Sequence, residues 1–445
     1  MTKYKILFYL LLVSPFVIAN YDIEEIITTG SLVNNPEQDA SPIDVITQED
    51  FENFNISNFA EISKYIASSS GSHFQTNALE GVDQGMASIA LRGLDHASTL
   101  LLVNSKRHTF AGTPSNQGEG YIDINIIPEI AIKQIEILKE GATSLYGSDA
   151  VAGVVNVLTQ KDFEGFKLRI NNFETSNYSQ RDKSLGLLVG SNYKSGSYVF
   201  GLNMLQRSSL SASEIPGIAE LGLSGLGKTF KISADDTVSN GLYSGNYNAN
   251  QFVPDPQCEA NGGVLDGSFC RFLYGTRFNI VNDEDHSKAY ANLSFERSNY
   301  VYEITFMGSA VEVNDKPQSP SYPALPFLSR QIQPDQGGNP FNVPVTWYGR
   351  PLGSEFDSPY SPKDIKQYNL SQTFNTNISE STELEASITI SSHSNDHYRP
   401  DIIDSKFLEA LNGTTMGQSN GTITYWNIFD SSQNTQELID YVRGA

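Results

Sequence analysis

Residues 222–229 carry the spacing of a phosphate-binding P-loop, from Gly222 to Thr229. Such a loop needs a buried strand before it and a helix after it, because its backbone N–H groups must converge on the phosphates. Residues 208–212 are polar, Pro216 interrupts the chain, and residues 232–238 hold two aspartates where a helix should begin. We therefore expect a flexible, glycine-rich loop here and no nucleotide chemistry.

His393 and His397 would share one face of a helix and could then hold a metal ion. They follow the strand-like residues 384–392, however, and in a strand their spacing separates them by ~13 Å. The acidic runs 283–285 and 235–236 could bind calcium loosely, but such runs more often lie at solvated loop tips. The sequence predicts no metal, no cofactor and, without a catalytic serine, cysteine or acid pair in a supporting pattern, no enzyme.

The first residues have the features of a secretory signal peptide. A short basic start precedes the apolar run 6–13, and residues 17–19 offer small or aliphatic side chains for cleavage after residue 19. A retained N-terminal anchor is the alternative. In an oxidising compartment, Cys258 and Cys270 are expected to form a disulfide, because a zinc site would need further Cys or His ligands nearby.

Charge and hydropathy narrow the class of protein further. The net charge of -22 argues against binding nucleic acid, whose phosphates would be repelled. After the signal peptide, no segment approaches the ~20 consecutive apolar residues that a membrane helix needs. Any membrane-spanning part must therefore consist of strands.

The chain changes character near Gly165. Before it, short strands and helices interleave, as in one compact α/β domain, and Asn58 with Glu61 predicts the start of a helix. The strands predicted in this part are Pro42–Thr47, Ser88–Leu91, Thr99–Val103, Lys133–Leu138 and Gly153–Thr159.

Beyond Phe166, apolar and polar residues alternate, as in residues 198–205, 289–296, 300–306 and 384–390. About seven to nine such strands can be counted, each with one lipid-facing and one water-facing side, as in an outer-membrane barrel. The turns at 194–196 and 297–299 are short, whereas 208–285, 313–362 and 394–445 are long, which predicts that the long loops are extracellular. A soluble β-sandwich is the alternative, but its strands rarely adjoin loops of such length.

Six motifs in sequence resemble those of TonB-dependent outer-membrane receptors. They are Glu24–Gly30, Pro42–Thr47, Leu91–Gly93, Ile135–Ala142, Ser144–Ala150 and Gly153–Val157. The resemblance implies an α+β plug domain inside a transmembrane antiparallel β-barrel that is incomplete in this chain. It divides the chain into a signal peptide (1–19), a TonB-box linker (20–34), the plug (35–162) and the N-terminal part of a barrel of about 22 strands (163–445).

The resemblance also implies roles for particular residues. The segment that couples to TonB consists of Ile23, Glu24, Glu25, Ile26, Ile27 and Thr28, and such an extended segment can add a strand to a partner's sheet. Arg92 and Glu136 are expected within apolar strands, locking the plug to the barrel wall or pairing inside the plug. Gly141, Gly147 and Gly153 are expected to allow tight turns. The loop 108–120 is expected either to touch ligand or to be an ordinary surface loop, and its candidate contacts are Arg107, His108, Phe110, Asn116 and Gln117.

The function implied is uptake of a scarce extracellular ligand across the outer membrane, driven by the TonB complex in the periplasm. The expected partners are that complex, outer-membrane lipid and a small ligand, which could be a siderophore, cobalamin, a saccharide or a peptide. An open barrel would leave unpaired strand edges in lipid, so we expect a longer protein than the 445 residues given. A passive porin or adhesin, a sensor receptor with an extra signalling domain and an enzyme are the alternatives.

Overall fold

The computed structural model describes residue 29 and residues 43–54, 56–70, 72, 84–115, 118–316, 319–321, 330–379, 382–417 and 420–445. The signal peptide, the coupling residues 23–28, Asn116 and Gln117 lie outside the described residues. The predictions made for them are therefore not addressed by the structure.

In chain order the strands and α-helices are β1 (Ile43–Thr47), α1 (Gln48–Asn53), β2 (Thr99–Val103), β3 (Lys106–Arg107), β4 (Ile132–Leu138), α2 (Thr143–Tyr146), β5 (Gly153–Thr159), β6 (Gly165–Glu174), β7 (Arg181–Tyr193), β8 (Gly196–Arg207), β9 (Leu210–Ser211), β10 (Leu223–Ser224), β11 (Lys228–Ile232), β12 (Asp236–Val238), β13 (Gly245–Tyr247), β14 (Phe252–Pro254), β15 (Val264–Asp266), β16 (Phe269–Leu273), β17 (Asn279–Val281), β18 (Asp283–Glu296), β19 (Tyr300–Asp315), β20 (Gln331–Ile332), β21 (Val345–Gly349), β22 (Ser361–Ser379), β23 (Thr382–His397), β24 (Asp401–Ile402), α3 (Asp404–Asn412), α4 (Gln436–Val442) and β25 (Arg443–Gly444). Short 3₁₀ helices lie at Phe59–Lys64, His96–Ser98, Ile124–Ile126, Glu129–Ala131, Ser148–Ala150, Ala212–Glu214, Ala219–Leu221 and Ser431–Gln433.

Residues 43–160 fold around a five-stranded mixed sheet, and we call them the plug after the domain that the sequence resembles. The strand order is β1-β4-β5-β2-β3, in which β2 and β5 are parallel and the other neighbours are antiparallel. Every residue of β2 is buried. The predicted strands at 99–103 and 153–159 have the bounds found in the structure, and those at 42–47 and 133–138 differ by one residue.

Local sequence signals explain how the plug helices begin. Thr47 and Asp50 form a capping box at the start of α1, since each side chain bonds to the other's backbone N–H. Asn58 caps the helix at Phe59–Lys64 by accepting from the Ala60 N–H at 2.9 Å, but this helix is 3₁₀. Glu61 does not complete that cap, because its side chain reaches Arg207 at 3.4 Å.

The prediction of a strand at Ser88–Leu91 is wrong. Leu91 forms only an isolated antiparallel bridge with Ser69, and no strand of the described residues includes it. The segment is apolar because it is buried: Ile89 and Leu91 belong to the core of the plug. Burial alone therefore produced the apolar run that was read as a strand.

Seven long strands form a second sheet, which we call the wall. Its order is β23-β22-β19-β18-β8-β7-β6, so all its strands follow one another along the chain as antiparallel neighbours. Short turns at 193–196 and 296–300 lie at one edge, the turn rim, as do the paired strand ends Ser379 and Thr382. The connections that follow β8, β19 and β23 are long and leave the opposite edge, the loop rim. Among the described residues the end strands β6 and β23 do not pair with each other.

The two faces of the wall differ in what covers them. One face packs on the plug, and its Leu188, Val199, Tyr290 and Met307 belong to the same apolar core as the plug residues. The other face leaves large apolar side chains exposed, among them Leu168, Ile170, Leu185, Phe200, Met204, Phe306, Phe374, Ile388 and Ile390. Apolar surface of this extent on one sheet face is typical of strands that face lipid. No helix among the described residues is long and apolar enough to cross a membrane.

The three long connections do not behave as separate loops. The described parts of 208–282, 330–360 and 398–445 share one apolar core, and we call them the cap. Its largest members are Phe230 and Tyr243 from the first segment, Phe341 and Trp347 from the second, and Phe407, Trp426 and Phe429 from the third. Strand β11 pairs with β21, which joins the first segment to the second, and the Phe230 and Phe429 rings stack at 4.2 Å, which joins the first to the third.

The expectation of a flexible loop at residues 222–229 is therefore corrected. Residues 223–224 form β10, and Lys228 begins β11, where its ammonium lies 3.0 Å from the Asp255 carboxylate. The glycines of this segment permit close backbone packing, since a Cβ on Gly227 would lie 2.3 Å from the Cys270 carbonyl oxygen. The lysine of the P-loop pattern is thus paired inside the cap.

Replacing Trp426 by alanine tests whether the cap is one cooperative unit. Trp426 is 2% exposed, and its loss removes buried surface worth about 3–5 kcal/mol. We expect faster amide hydrogen exchange in all three cap segments, measured by mass spectrometry. The matched control is Tyr425→Ala, which removes a neighbouring aromatic ring that is 52% exposed and should change little. Faster exchange confined to residues 398–445 would show that the segments fold separately.

Candidate functional site: the plug and wall interface

A buried lysine joins the wall to the plug. Lys288 of β18 lies 2.5 Å from the Glu129 carboxylate of the plug, and their side chains are 2% and 5% exposed. The same carboxylate accepts the Phe59 N–H at 2.8 Å, so Glu129 also fixes the start of the Phe59–Lys64 helix. Removing either partner would leave an uncompensated charge in a dry interface, which is strongly unfavourable.

Arg207 at the end of β8 gathers three carboxylates from three parts of the chain. Its guanidinium lies 2.9 Å from Asp182 of β7, 3.3 Å from Glu284 of β18 and 3.4 Å from Glu61 of the plug. Burial raises the pKa of the Glu61 carboxyl above its ordinary value, although the nearby Arg207 acts in the opposite direction. The cluster also includes His286, whose Nε2 lies 3.1 Å from Glu284, so one buried polar cluster joins three wall strands to the plug.

Asp123 makes a third polar connection. Its Oδ1 accepts from the plug N–H groups of Ala87 and Asn125, at 3.0 and 3.1 Å. Its Oδ2 accepts from Gln367 of β22 at 3.0 Å and lies 3.3 Å from Nε2 of His393 on β23. One carboxylate therefore holds a plug turn and two wall strands together.

The plug loop after β3 is tied to β23 at alternate positions. Thr109 N–H donates to Ser391 Oγ at 3.1 Å, Gly112 N–H donates to His393 Nδ1 at 3.0 Å, and Asn395 donates to Thr113 Oγ1 at 2.9 Å. Because Nδ1 of His393 accepts a hydrogen bond, its Nε2 carries the hydrogen that points to Asp123.

A different kind of contact lies toward the turn rim. Lys106 of the plug pairs with Glu385 of β23, and Lys161 lies 2.8 Å from Glu303 of β19. Each of these pairs has one side chain that is at least 40% exposed, so solvent screens the attraction. The buried ion pairs thus hold plug and wall together strongly, and the solvent-exposed pairs hold them weakly.

A family model described as TonB-dependent Receptor Plug Domain matches residues 36–154. Residues 36–154 thus belong to the plug-domain family of the TonB-dependent receptors. The predicted outer-membrane location is thereby confirmed.

Two relatives of the receptor match in sequence. It is 35% identical over 127 residues to a probable TonB-dependent siderophore receptor, PirA, of Acinetobacter baumannii, which covers 27% of this chain and 16% of that protein. It is also 35% identical over 99 residues to an iron-regulated outer membrane virulence protein of Vibrio cholerae, covering 22% of this chain and 15% of that protein. The aligned part of the receptor thus spans less than a fifth of the length of either relative.

Solved structures are similar at lower identity. A mutant of the ferric enterobactin receptor PfeA of Pseudomonas aeruginosa, in complex with enterobactin, is 16% identical with a TM-score of 0.45 and covers 79% of this chain and 41% of that chain. The ferric preacinetobactin receptor BauA of Acinetobacter baumannii is 11% identical with a TM-score of 0.38, covering 82% and 48%.

The receptor's Arg92 is not where the sequence motif suggested. It lies in an exposed turn with φ +60°, and its guanidinium donates to the Lys139 carbonyl oxygen at 3.5 Å. The expected strand position is corrected, and the described hydrogen bond of Arg92 lies inside the plug. The following Gly93 also has a positive φ, so the Leu91–Gly93 motif shapes a chain reversal inside the plug.

Glu136 is buried in β4, as predicted, but its described hydrogen bonds stay on the plug side. It accepts from Gln134 at 2.9 Å and from the hydroxyl of Thr29. Thr29 is the residue directly after the predicted coupling segment, and it is 4% exposed. Its hydroxyl also accepts from Asn156 of β5 at 3.1 Å, so Thr29 is held on two neighbouring strands.

The predicted structural glycines meet different demands. Gly147 and Gly153 have positive φ, and a Cβ on Gly153 would lie 2.3 Å from the Leu138 carbonyl oxygen, so glycine is required there. Gly141 lies between β4 and α2, where a Cβ would lie 3.2 Å from the Val151 carbonyl oxygen.

The described ligand-contact candidates do not form one charged site. Arg107 donates to Asp149 and to the Tyr146 carbonyl oxygen, so its charge is used inside the plug. Burial lowers the pKa of the half-buried His108 to about 4, which leaves its ring neutral at ordinary pH. Phe110 is 57% exposed and remains available for contact.

The other residues singled out in the sequence are placed as follows. Cys258 and Cys270 are joined in a disulfide within the cap. His393 and His397 lie on the same face of β23 but bind different partners, since His397 Nε2 lies 2.8 Å from Ser361 Oγ. Among the described residues, no cluster of three or more metal-binding side chains occurs.

The residues that hold the plug to the wall were not identified from the sequence. On the wall, the signal was present as charged or polar residues at inward-facing positions of apolar strands, as at Arg207 and Lys288. On the plug, Glu61 was assigned to a helix cap and Glu129 carried no motif. Their partners lie 146 and 159 residues away in the chain, which no local pattern reveals.

Changing Glu129 to glutamine tests the buried pair. The variant leaves the Lys288 ammonium buried without its counter-charge, and we expect a loss of about 3–5 kcal/mol in the stability of plug docking. The measurement is the urea dependence of hydrogen exchange in β4 and β5. The double variant Glu129→Gln/Lys288→Met should recover most of the loss.

The control for this experiment is Glu52→Gln, which removes the exposed plug and wall pair of Lys167 and Glu52. Exposed pairs contribute about 0–1 kcal/mol, so the change should be small. Equal effects of Glu129→Gln and Glu52→Gln would contradict the view that burial makes the Lys288 pair decisive.

Proposed function

We propose that the receptor imports a scarce extracellular ligand across the outer membrane with energy supplied by the TonB complex. We further propose that its segments are a signal peptide (1–19), a TonB-coupling linker (20–34), a plug (35–162) and barrel strands with long extracellular loops (163–445). In this proposal the wall spans the membrane, the loop rim faces outward and the turn rim faces the periplasm.

The observation that carries the proposal is the way in which the plug is held. A domain that only filled a pore would need no more than apolar packing, but this plug is docked by buried charges from several wall strands. Such charges resist partial separation, because each intermediate would expose an unpaired ion to a dry interface. Displacing the whole plug from these charges therefore requires work, which an external energy source must supply.

The position of Thr29 supports the entry point for that work. Residues 23–28 precede it directly and are predicted to add as a strand to a partner's sheet, where backbone hydrogen bonds give a firm grip. The Thr29 hydroxyl is bound to Glu136 and Asn156 on the central plug strands β4 and β5. A pull on residues 23–28 is then delivered to the middle of the plug sheet.

For the ligand, we propose a ferric siderophore. This choice is supported by the relatives, one named a probable siderophore receptor and the other an iron-regulated outer membrane protein. Because Arg107 is paired with Asp149 inside the plug, Phe110 is the contact proposed on the plug side, and the cap and the remaining loop residues are proposed to supply most of the contacts.

Deleting residues 23–28 tests energy coupling. We expect uptake of radioiron, supplied as a panel of catecholate, hydroxamate and carboxylate siderophores, to fall at least tenfold while binding at the cell surface persists. A finer variant is Ile26→Pro, which removes the backbone N–H that strand addition needs. Its matched control, Ile26→Val, should transport normally. Unchanged uptake after the deletion would favour a passive porin or adhesin instead.

A further inference from the structure

A water-accessible cleft separates the plug from the wall near the turn rim. Its volume is about 560 Å³, which lies within the range of small-molecule sites. The wall side presents hydroxyl and amide groups from β18, β19 and β22: Ser294, Thr305, Asn369, Ser371, Thr373 and Asn375. The plug side is formed by the turn Val103–Lys106 between β2 and β3, together with Lys161.

The rest of the plug and wall interface is sealed by other means. Toward β7 and β8 it contains Leu188, Val199 and the plug's Ile130 in one apolar core. Toward the loop rim it contains the buried charges around Arg207 and Lys288. At the cleft, the ion pairs that link the plug side to the wall are the partly exposed Lys106–Glu385 and Lys161–Glu303. Neutral hydrogen bonds accompany them, from Ser197 Oγ to the Lys161 carbonyl oxygen at 3.0 Å and from the Tyr290 hydroxyl to the Gln160 carbonyl oxygen at 2.6 Å. Solvent already screens these pairs, so this is where plug and wall separate most easily.

The turn Val103–Lys106 is itself held by a few side-chain bonds. Asn104 and Ser105 both have positive φ, at +49° and +61°, a conformation that asparagine tolerates but that is unfavourable for serine. Asn156 of β5 stabilises this conformation from both sides: its Oδ1 accepts the Ser105 N–H at 3.0 Å and its Nδ2 reaches Ser105 Oγ at 3.2 Å.

The same Asn156 amide is bound to Thr29 at 3.1 Å. One side chain thus connects the residue behind the coupling segment to the turn that lines the cleft. Withdrawal of Thr29 removes one of the partners that orient Asn156, and a reoriented Asn156 no longer supports the strained turn. The link is local and needs no unfolding of the plug sheet.

We propose that the turn Val103–Lys106 is the gate of a polar exit passage, and that pulling on residues 23–28 opens it through Thr29 and Asn156. The inference rests on the proposed energy-coupled import and adds to it the route and the moving part. The lining also carries charges of both signs, among them Lys133, Asp162 and Glu296. The ligand class that suits the cleft is a hydrated molecule rich in oxygen atoms, because the hydroxyl, amide and charged groups can replace its water.

The first experiment tests whether the cleft is accessible to water, and it needs neither a ligand nor an energy source. The chain's two cysteines are joined in a disulfide, so an introduced cysteine is the only free thiol that it supplies. In permeabilised cells a sulfonated maleimide should label Thr373→Cys in the cleft at least tenfold faster than Ser309→Cys. Ser309 lies on the same wall face but is covered by the plug and 8% exposed. Equal labelling rates would overturn the cleft.

The second experiment tests the gate. Lys106→Cys/Glu385→Cys is bridged with a short, reducible bis-methanethiosulfonate, because two long side chains meet here and a direct disulfide would be too short. We expect radioiron uptake from the siderophore panel to fall at least tenfold on bridging and to return on reduction. The matched control, Glu52→Cys/Lys167→Cys, bridges plug and wall away from the cleft and should leave uptake within twofold. Normal uptake with the Lys106–Glu385 bridge complete would overturn the gate.

The two experiments separate failure of the inference from failure of the proposed function. Unchanged uptake after deletion of residues 23–28 would contradict the proposed energy-coupled import. The labelling contrast between Thr373→Cys and Ser309→Cys does not depend on that result and still tests the cleft. When the deletion abolishes uptake but the gate bridge does not, import is energy-coupled and the passage lies elsewhere.

Discussion

The whole interface depends on the fact that a charge taken out of water must keep its partner. Lys288 and Arg207 are both nearly inaccessible to solvent, and each is neutralised in part by a plug carboxylate. Once formed, these contacts are costly to loosen, because a displacement weakens the attraction before there is room for water to solvate the separated charges. The position of the docked plug is therefore well defined, and displacing the plug from it requires work.

This constraint is not spread evenly over the interface. The buried charges and the apolar core hold the side of the plug that faces β7, β8 and the loop-rim end of β18, whereas solvated contacts hold the side near the turn rim. A uniformly tight interface would have to be broken as a whole. An interface with one solvated side can open there while Glu129 and Asp123 keep the plug in register with the wall.

The sequence was informative where the relevant interactions are local. The capping box at Thr47, the strands at 99–103 and 153–159, and the alternation along β8, β18, β19 and β23 all follow from neighbours in the chain. It was misleading at two places. The buried apolar run 88–91 resembled a strand, and the P-loop spacing that includes Lys228 occurs without the strand and helix that a P-loop needs. The family motifs located the plug but not its attachment, since Arg92 of the Leu91–Gly93 motif lies in an exposed turn.

The cap and the wall contacts were out of reach of the sequence for one common reason. Phe230 and Phe429 stack although 199 positions apart by their numbers, and the three polar segments that carry them looked like independent loops. In each segment the apolar residues are too few to form a core alone, so composition suggested flexibility. Only the fold shows that their buried rings add up to one core.

Strand β23 connects to the cap, the plug loop and the cleft one after another along its length. Its loop-rim end leads directly into the third cap segment, its middle is bonded to the plug loop through Ser391, His393 and Asn395, and Glu385 near its other end holds Lys106. A strand transmits displacement along its length with little stretching, because its backbone is already extended. This one wall strand therefore joins the third cap segment, the plug loop and the Lys106–Glu385 pair at the cleft.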